Sequence, residues 1–387
     1  MSPVPPIRFG LVGGGQDAFI GAVHRQAARL DGQFTLVCGA LSRYPERAVR
    51  SGLDLGLPRE RSYADYAAMF AAEAQRPEAE RMQCVVIVTP NRSHLPIASA
   101  ALAAGFHVFS DKPATASLEE CRALARAVDT SGLHYALTHP YTGYPMIREA
   151  RERIARGDLG RVRKILVEYT QGWLASPIER EGQKQASWRL DPAEAGVSCC
   201  FGDIGVHAFN LAEFATGRKV AAMSATLQSV VAGRVLDDDG AAMLRFDEGA
   251  SGVLVASQVC TGDENDVRLR VYGERASLEW RQLEPNTLWL KPADAPTVML
   301  RTGAPGVGAA AAAATRLPSG HPEGFIEAFG NLYREYAALL RGGEEAVAAR
   351  ANVQGIEAAL RGMAFIETAV QSSAAGGAWM SLPSTKS

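Results

Sequence analysis

Asp203 and His207 stand four residues apart in Gly202-Asp203-Ile204-Gly205-Val206-His207, so a helix over 203–217 sets both on one face, a turn apart. A carboxylate near an imidazole orients the ring and supports its protonated form, a common acid–base pairing. The competing reading is a helix-start salt bridge with no chemistry, since Asp favours helix N-termini. Cys199 and Cys200 precede the pair, but no second ligand pair at metal-like spacing accompanies them, and no metal is expected. A lysine occurs in Ser110-Asp111-Lys112-Pro113, directly after the apolar run HVFS. There it can polarise a hydroxyl or hydrogen-bond a ribose; alone it would be read as a surface lysine. Thr89-Pro90-Asn91-Arg92-Ser93-His94 follows the apolar run CVVIV in the same manner.

Gly13-Gly14-Gly15 ends the run IRFGLV and precedes an amphipathic stretch carrying Ala22, Val23, Ala27 and Leu30 at helical spacing. Glycines in such a turn let the backbone approach a pyrophosphate, and the following helix N-terminus presents free N–H groups to it. The usual fingerprint is G-x-G-x-x-G; here the third glycine, Gly21, arrives three residues late. A tight strand-to-helix turn without a ligand is the plainer alternative. At the end of the next run, FTLVCGA, the acidic residue that would hold a ribose 2′-hydroxyl is missing, and the chain reads Ala40-Leu41-Ser42-Arg43-Tyr44-Pro45. Ser42 and Arg43 suit a 2′-phosphate, which favours NADP over NAD, unless Arg43 is simply a solvated loop residue.

These groups need a scaffold that brings strand ends together. Short, wholly apolar runs alternate with amphipathic segments up to HYALT near residue 136, which predicts a parallel sheet covered on both faces. The fold class is therefore α/β: an N-terminal doubly wound Rossmann domain over 1–138. A second, α+β domain is expected over 139–387, because the rhythm changes there. After the helix-like IREARERIARG and the strand-like VRKILVEYTQGW, strand candidates follow one another directly, separated by turn signals such as Asp-Asp-Gly and Tyr-Gly-Glu. That pattern predicts a large, open, mostly antiparallel sheet. The low-complexity segment 303–320 is expected to be a mobile loop, and two helices, over 323–341 and 344–372, are expected to close the chain.

Length and charge set outer bounds. With 387 residues, two domains are the prior. A net charge of -2 offers no field for a nucleic-acid backbone, and no basic run suggests a membrane surface. No uncharged apolar stretch of bilayer length occurs, and MSPVPPIRFG lacks the basic start and apolar core of a secretory signal. Six cysteines without a C-x-x-C pair predict a reduced, cytoplasmic protein.

Taken in order, the glycine turn, T-P-N-x-x-H, D-K-P, the W-R-x-D-P run at Trp188, D-x-G-x-H at Asp203 and H-P-E-G-F-x-E-A-F from His321 resemble the Gfo/Idh/MocA oxidoreductases, relatives of glucose–fructose oxidoreductase and inositol dehydrogenase. The resemblance runs from Ile7 to about Tyr336. It implies hydride transfer between nicotinamide and a ring carbon of a sugar, sugar derivative or cyclitol, in a homodimer or homotetramer. By position, Lys112 matches the family's active-site lysine, and Asp203 and His207 match its acid–base pair. His207 would then accept the hydroxyl proton while Lys112 polarises the oxygen and Asp203 holds His207 or a neighbouring hydroxyl. Expected on the cofactor are Gly13, Gly14, Gly15, Phe19, Ile20, Ser42, Arg43, Thr89, Asn91, His94, Asp111, Lys112, Trp188 and Arg189. Expected on the substrate, besides Lys112, Asp203 and His207, are Tyr141, Tyr144, Gln171, Trp173, Lys184, Trp188 and His321. The chain departs from the family in the longer glycine loop, in Asp111 for the usual Glu, and in Gly196-Val197-Ser198-Cys199-Cys200 where glycines are usual. Two other activities remain open at this point: redox-assisted glycoside cleavage and a non-catalytic dinucleotide sensor.

Overall fold

Every residue of CVVIV is buried, as a strand covered on both faces requires, and it forms the middle of a five-stranded sheet. The computed structural model describes residues 4–16 and 18–383. The chain divides into two compact units: the first runs to Thr138 and includes Phe329–Leu360, the second holds His139–Ala328 and the chain from Arg361.

The first unit follows β1 (Ile7–Gly13), α1 (Phe19–Leu30), β2 (Phe34–Ala40), α2 (Pro45–Asp54), α3 (Tyr66–Ala74), β3 (Cys84–Val88), α4 (His94–Ala103), β4 (His107–Ser110), α5 (Leu118–Ser131) and β5 (Tyr135–Leu137). The strands are all parallel, in the order β2-β1-β3-β4-β5. The extra strand that a full Rossmann half places beyond β2 is reduced to one bridge, Gly39 to Ser62. Helix α2 was not foreseen, although Pro45 at its first position and Glu46 in its first turn are start signals. In α1 the buried stripe is Gly21, Val23, His24, Ala27 and Ala28, while Leu30 lies exposed.

The second unit contains α6 (Pro145–Arg156), β6 (Val162–Thr170), the short helices α7 (Lys184–Arg189) and α8 (Pro192–Ala195), and a π-helical turn (Phe201–Gly205) that continues as α9 (Val206–Thr216). Then come β7 (Val220–Gln228), β8 (Asp239–Phe246), β9 (Ser251–Ser257), β10 (Asp266–Gly273), β11 (Ala276–Arg281), β12 (Thr287–Pro292), β13 (Val298–Arg301) and α10 (Ala309–Ala314). The remaining elements are α11 (Phe325–Arg341), α12 (Gly343–Arg350), α13 (Ile356–Ala374) and β14 (Met380–Ser381). Nine strands join in the order β13-β12-β11-β10-β6-β9-β8-β7-β14, antiparallel throughout except for β6 beside β9.

Three expectations need correction. Residues 329–360, assigned from sequence to the second domain, pack with the first unit. Tyr333 and Tyr336 on α11 are buried there, and the Tyr336 hydroxyl donates to the Val108 carbonyl at 2.8 Å. The division falls inside α11 and α13, which a reading of local pattern cannot see. The segment 303–320 is not a loop throughout. Its alanines form α10, with Ala311 and Ala314 buried, and the carboxylates of Glu149 and Glu152 accept the N–H groups of Gly308 and Ala310 at 2.6 and 3.0 Å. Alanine has the highest helix propensity, and two acids at the N-terminus suit the helix dipole. The expected last helix is two helices, α12 and α13, separated by Ala351–Gly355. Among the described residues, no helix is long and apolar enough to cross a membrane.

Candidate active site

Gly13 and Gly14 lie in the left-handed region, at φ 81° and 71°, where a side chain is strained. A Cβ on Gly21 would fall 2.4 Å from the Gly14 Cα, so Gly21 allows α1 to close on the turn despite its late arrival. This is the work of the third fingerprint glycine. The added residues fold onto α2 instead: Gln16 Nε2 donates to Asp54 at 2.8 Å, and Arg47 donates to the Gln16 carbonyl at 3.1 Å. Asp17 lies outside the described residues. Helix α1 starts with no side-chain cap and no acid in its first turn, so its first N–H groups suit a phosphate. A cleft of about 470 Å³ adjoins it, lined by Gly15, Gln16, Phe19, Arg25 and Ser51 among others. Phe19 is exposed and Ile20 half-buried. These features fit the pyrophosphate of a dinucleotide.

At the end of β2, Ser42 Oγ accepts the Tyr44 N–H at 3.1 Å, and the exposed Arg43 guanidinium donates to the Tyr44 hydroxyl at 2.9 Å. After β3, Ser93 donates to Thr89 Oγ1 at 2.7 Å, and Asn91 is buried. His94, expected on the cofactor, is 1% exposed and has both ring nitrogens on carbonyl oxygens: Nδ1 2.8 Å from Pro113 and Nε2 2.7 Å from Thr89. It is a clamp between the loops after β3 and β4 rather than a ligand-facing group. Asp111 accepts the backbone N–H of Lys112 at 2.9 Å, and both residues are part-exposed at the end of β4.

In the second unit, buried Asp237 organises the turn that precedes Asp203. Its carboxylate accepts from Ser198 Oγ at 3.0 Å and from the N–H groups of Cys199 and Phe201 at 3.0 and 2.9 Å. The turn then runs into α9 through the π-helical residues, a local widening frequent at functional sites. Asp203 Oδ2 receives Gln258 Nε2 at 2.9 Å and pairs with Arg189 Nε at 3.1 Å. Arg189, expected on the cofactor with Trp188, therefore serves a carboxylate here, with its guanidinium 4.3 Å from the Trp188 ring centroid. His207 is buried, and its Nδ1 lies 3.2 Å from Nδ1 of His139, so one of the two rings donates and the other accepts.

The aromatic wall differs from its expectation in detail. Tyr141 packs edge-on against His207 at 5.2 Å, and its hydroxyl bonds that of Tyr169 at 2.6 Å; Tyr169 in turn donates to Asn265 at 2.8 Å. Burial pushes the Tyr141 hydroxyl up to about 12 and Tyr169 well above its ordinary value, so both stay protonated in ordinary buffers. Gln171 joins this group, donating to Asn265 at 2.5 Å and accepting from Trp173 Nε1 at 2.9 Å. Tyr144 is instead a core residue, 2% exposed and tilted against Trp280. Lys184 is exposed at the start of α7, and His321 is exposed with Nδ1 3.1 Å from the Pro318 carbonyl. His139, Tyr169, Asn265, Asp237 and Gln258 were not anticipated. Only His139 carried a readable signal, as a histidine just past the carboxyl end of a parallel strand, where such sheets bind ligands.

Two family models match the chain: the oxidoreductase family with NAD-binding Rossmann fold over residues 7–139, and the GFO/IDH/MocA C-terminal domain over 147–279. An inositol dehydrogenase homolog from Azotobacter vinelandii complexed with NAD+ is 36% identical, with a TM-score of 0.93 over 98% of each chain. A structure of an inositol dehydrogenase homolog from the same organism, complexed with NADH and myo-inositol, is 34% identical, with a TM-score of 0.90 over 98% of each chain. An oxidoreductase from Sinorhizobium meliloti is 42% identical, with a TM-score of 0.87, covering 97% of this chain and 99% of that one.

Proposed function

The chain belongs to the GFO/IDH/MocA family of NAD(P)-dependent oxidoreductases, and from that premise we propose that it oxidises a ring CH–OH of a cyclitol or sugar, or reduces the matching carbonyl. When bound, the nicotinamide supplies or accepts the hydride. The residues around the glycine turn hold its pyrophosphate; Lys112 polarises the substrate oxygen, and His207 moves the proton. The observation that carries this reading is the His207–His139 contact, with a carboxylate held by Arg189 and Gln258 four residues before His207. If His207 Nδ1–H donates to His139, Nε2 of His207 is a base suited to oxidation. If His139 donates instead, His207 Nε2 carries the proton needed for reduction. The wall of Tyr141, Gln171 and Trp173 suits a ring bearing hydroxyls. Cyclitols are favoured because two similar structures are of inositol dehydrogenase homologs, one of them complexed with myo-inositol. A panel of myo-inositol, scyllo-inositol and aldoses, scored by nicotinamide absorbance, tests the reading; turnover of none of them would remove it.

For the cofactor we propose NADP(H). Ser42 carries no charge to repel a 2′-phosphate, Arg43 lies at the turn after β2, and Arg47 follows in the first turn of α2. A charge-assisted pair of this kind contributes about 1.5–3 kcal/mol, roughly ten- to a hundredfold in affinity. NADPH is expected to bind more tightly than NADH, and Arg43→Ala to narrow the gap; equal or tighter NADH binding would reverse the assignment. We also propose a homodimer or homotetramer, supported by Met243, Trp289 and Met299 exposed on strands of the nine-stranded sheet. Light scattering that finds a monomer would refute it.

A further inference from the structure

We propose that Gln258 is a positioning residue whose amide, turned by the Cys199 thiol, fixes the direction of the Asp203 carboxylate. The proposal rests on the reading of Asp203 as part of the acid–base group. Gln258 lies just past β9 and is wholly buried. Its backbone is fixed on both sides: its N–H donates to the Asp238 carbonyl at 2.9 Å, and its carbonyl accepts the Leu174 N–H at 3.0 Å. The side chain spans two partners, with Oε1 3.5 Å from Cys199 Sγ and Nε2 2.9 Å from Asp203 Oδ2.

A primary amide has one accepting and one donating end, and what it meets decides which way it faces. Burial, reinforced by the Asp203 and Asp237 carboxylates, holds the Cys199 thiol well above its ordinary range, so it keeps its proton and donates. A donor at Cys199 turns the carbonyl end of Gln258 towards it, in the same sense in which the Asp203 carboxylate, an acceptor only, draws the NH₂ end. Arg189 meets the same oxygen, Oδ2, and the backbone N–H of Asp203 is tied to the Cys199 carbonyl at 2.7 Å. Gln258 and Arg189 thus converge on one oxygen of a carboxylate whose backbone is anchored. A glycine at position 199 would have no thiol to set the amide, which gives this chain's departure from a glycine-rich turn a consequence. Within this unit, the titratable groups that face Asp203 are Arg189 on α7, Cys199, Cys200, Tyr141 and Tyr169, with Asp237 beside the two cysteines.

The test is carbon-13 NMR of the full chain labelled at aspartate carboxyls, with the Asp203 signal identified by its loss in Asp203→Asn. Gln258→Leu should raise the proton affinity of Asp203 roughly tenfold, the effect of losing one hydrogen bond to a charged group. Cys199→Ala should move it in the same direction by less, and Cys199→Ser, which restores a donor, should return it towards native. An Asp203 titration in Gln258→Leu that matches the native chain overturns the proposal. If that variant does not fold, identical titrations in Cys199→Ala and the native chain overturn it. Native turnover in Asp203→Asn would instead overturn the functional reading and leave the Cys199–Gln258–Asp203 relay standing.

Discussion

At the scale of single residues, His207 and Lys112 are given different tasks, and the difference is measurable. His207→Ala and Lys112→Met should each lower turnover by roughly two to four orders of magnitude, as loss of an acid–base or oxyanion group does. Dinucleotide affinity, read by fluorescence titration, should survive His207→Ala better than Lys112→Met, since only the lysine has a proposed ribose contact. His139→Phe keeps a ring beside His207 but removes the nitrogen 3.2 Å from it. Turnover should fall roughly tenfold, the value of one hydrogen bond, and unchanged steady-state kinetics would take His139 out of the account. Lys112, Asp203 and His207 were legible because each stands in a short motif. Asn265 and Gln258 were not, because their partners lie 124 and 55 positions away in the chain, and His139 had only its place after β5 to mark it.

At the scale of elements, local pattern identified β1 to β13 and most helices, since each of those runs is apolar at the period its structure requires. It failed where tertiary contacts decide. The alanine run became α10 through Glu149 and Glu152. Glu73 on α3 is another case. It is fully buried and accepts from Arg61 at 3.0 and 2.6 Å, from the Tyr63 hydroxyl at 3.0 Å and from the Met82 N–H at 3.0 Å. It ties α3 to the chain on both sides and reads from sequence as an ordinary helix-surface acid. Glu73→Ala leaves these donors unanswered and should cost about 3–5 kcal/mol of stability in urea unfolding, as breaking a buried pair does. A loss under 1 kcal/mol would mean that the network contributes little.

At the scale of the molecule, histidines whose proton affinity is lowered by burial, full in His24 and partial in His107, make stability depend on pH. Burial lowers His24 to about 4, and its Nδ1 lies 2.7 Å from the Tyr333 hydroxyl; burial and the neighbouring His134 lower His107 to about 4 as well. Between about 4 and the unfolded value near 6.5 the unfolded chain binds more protons, so stability is full above 6.5 and is lost as pH falls towards 4. For His24 alone the loss is roughly 3 kcal/mol. Denaturant midpoints should fall from pH 7.5 to 4.5, with a shallower slope in His24→Gln; midpoints independent of pH across that window would contradict it.

A ring carbon that exchanges a hydride with nicotinamide leaves its own hydrogen on the reduced cofactor, so isotope transfer reads the proposed reaction itself. The chain would be incubated with myo-inositol deuterated at its ring carbons and with each oxidised dinucleotide, and the reduced cofactor analysed by mass spectrometry. One deuterium is expected in each reduced nicotinamide formed, and none when His207→Ala has removed turnover. Reduced cofactor without deuterium, or no reduction with myo-inositol or any similarly deuterated aldose, would contradict it.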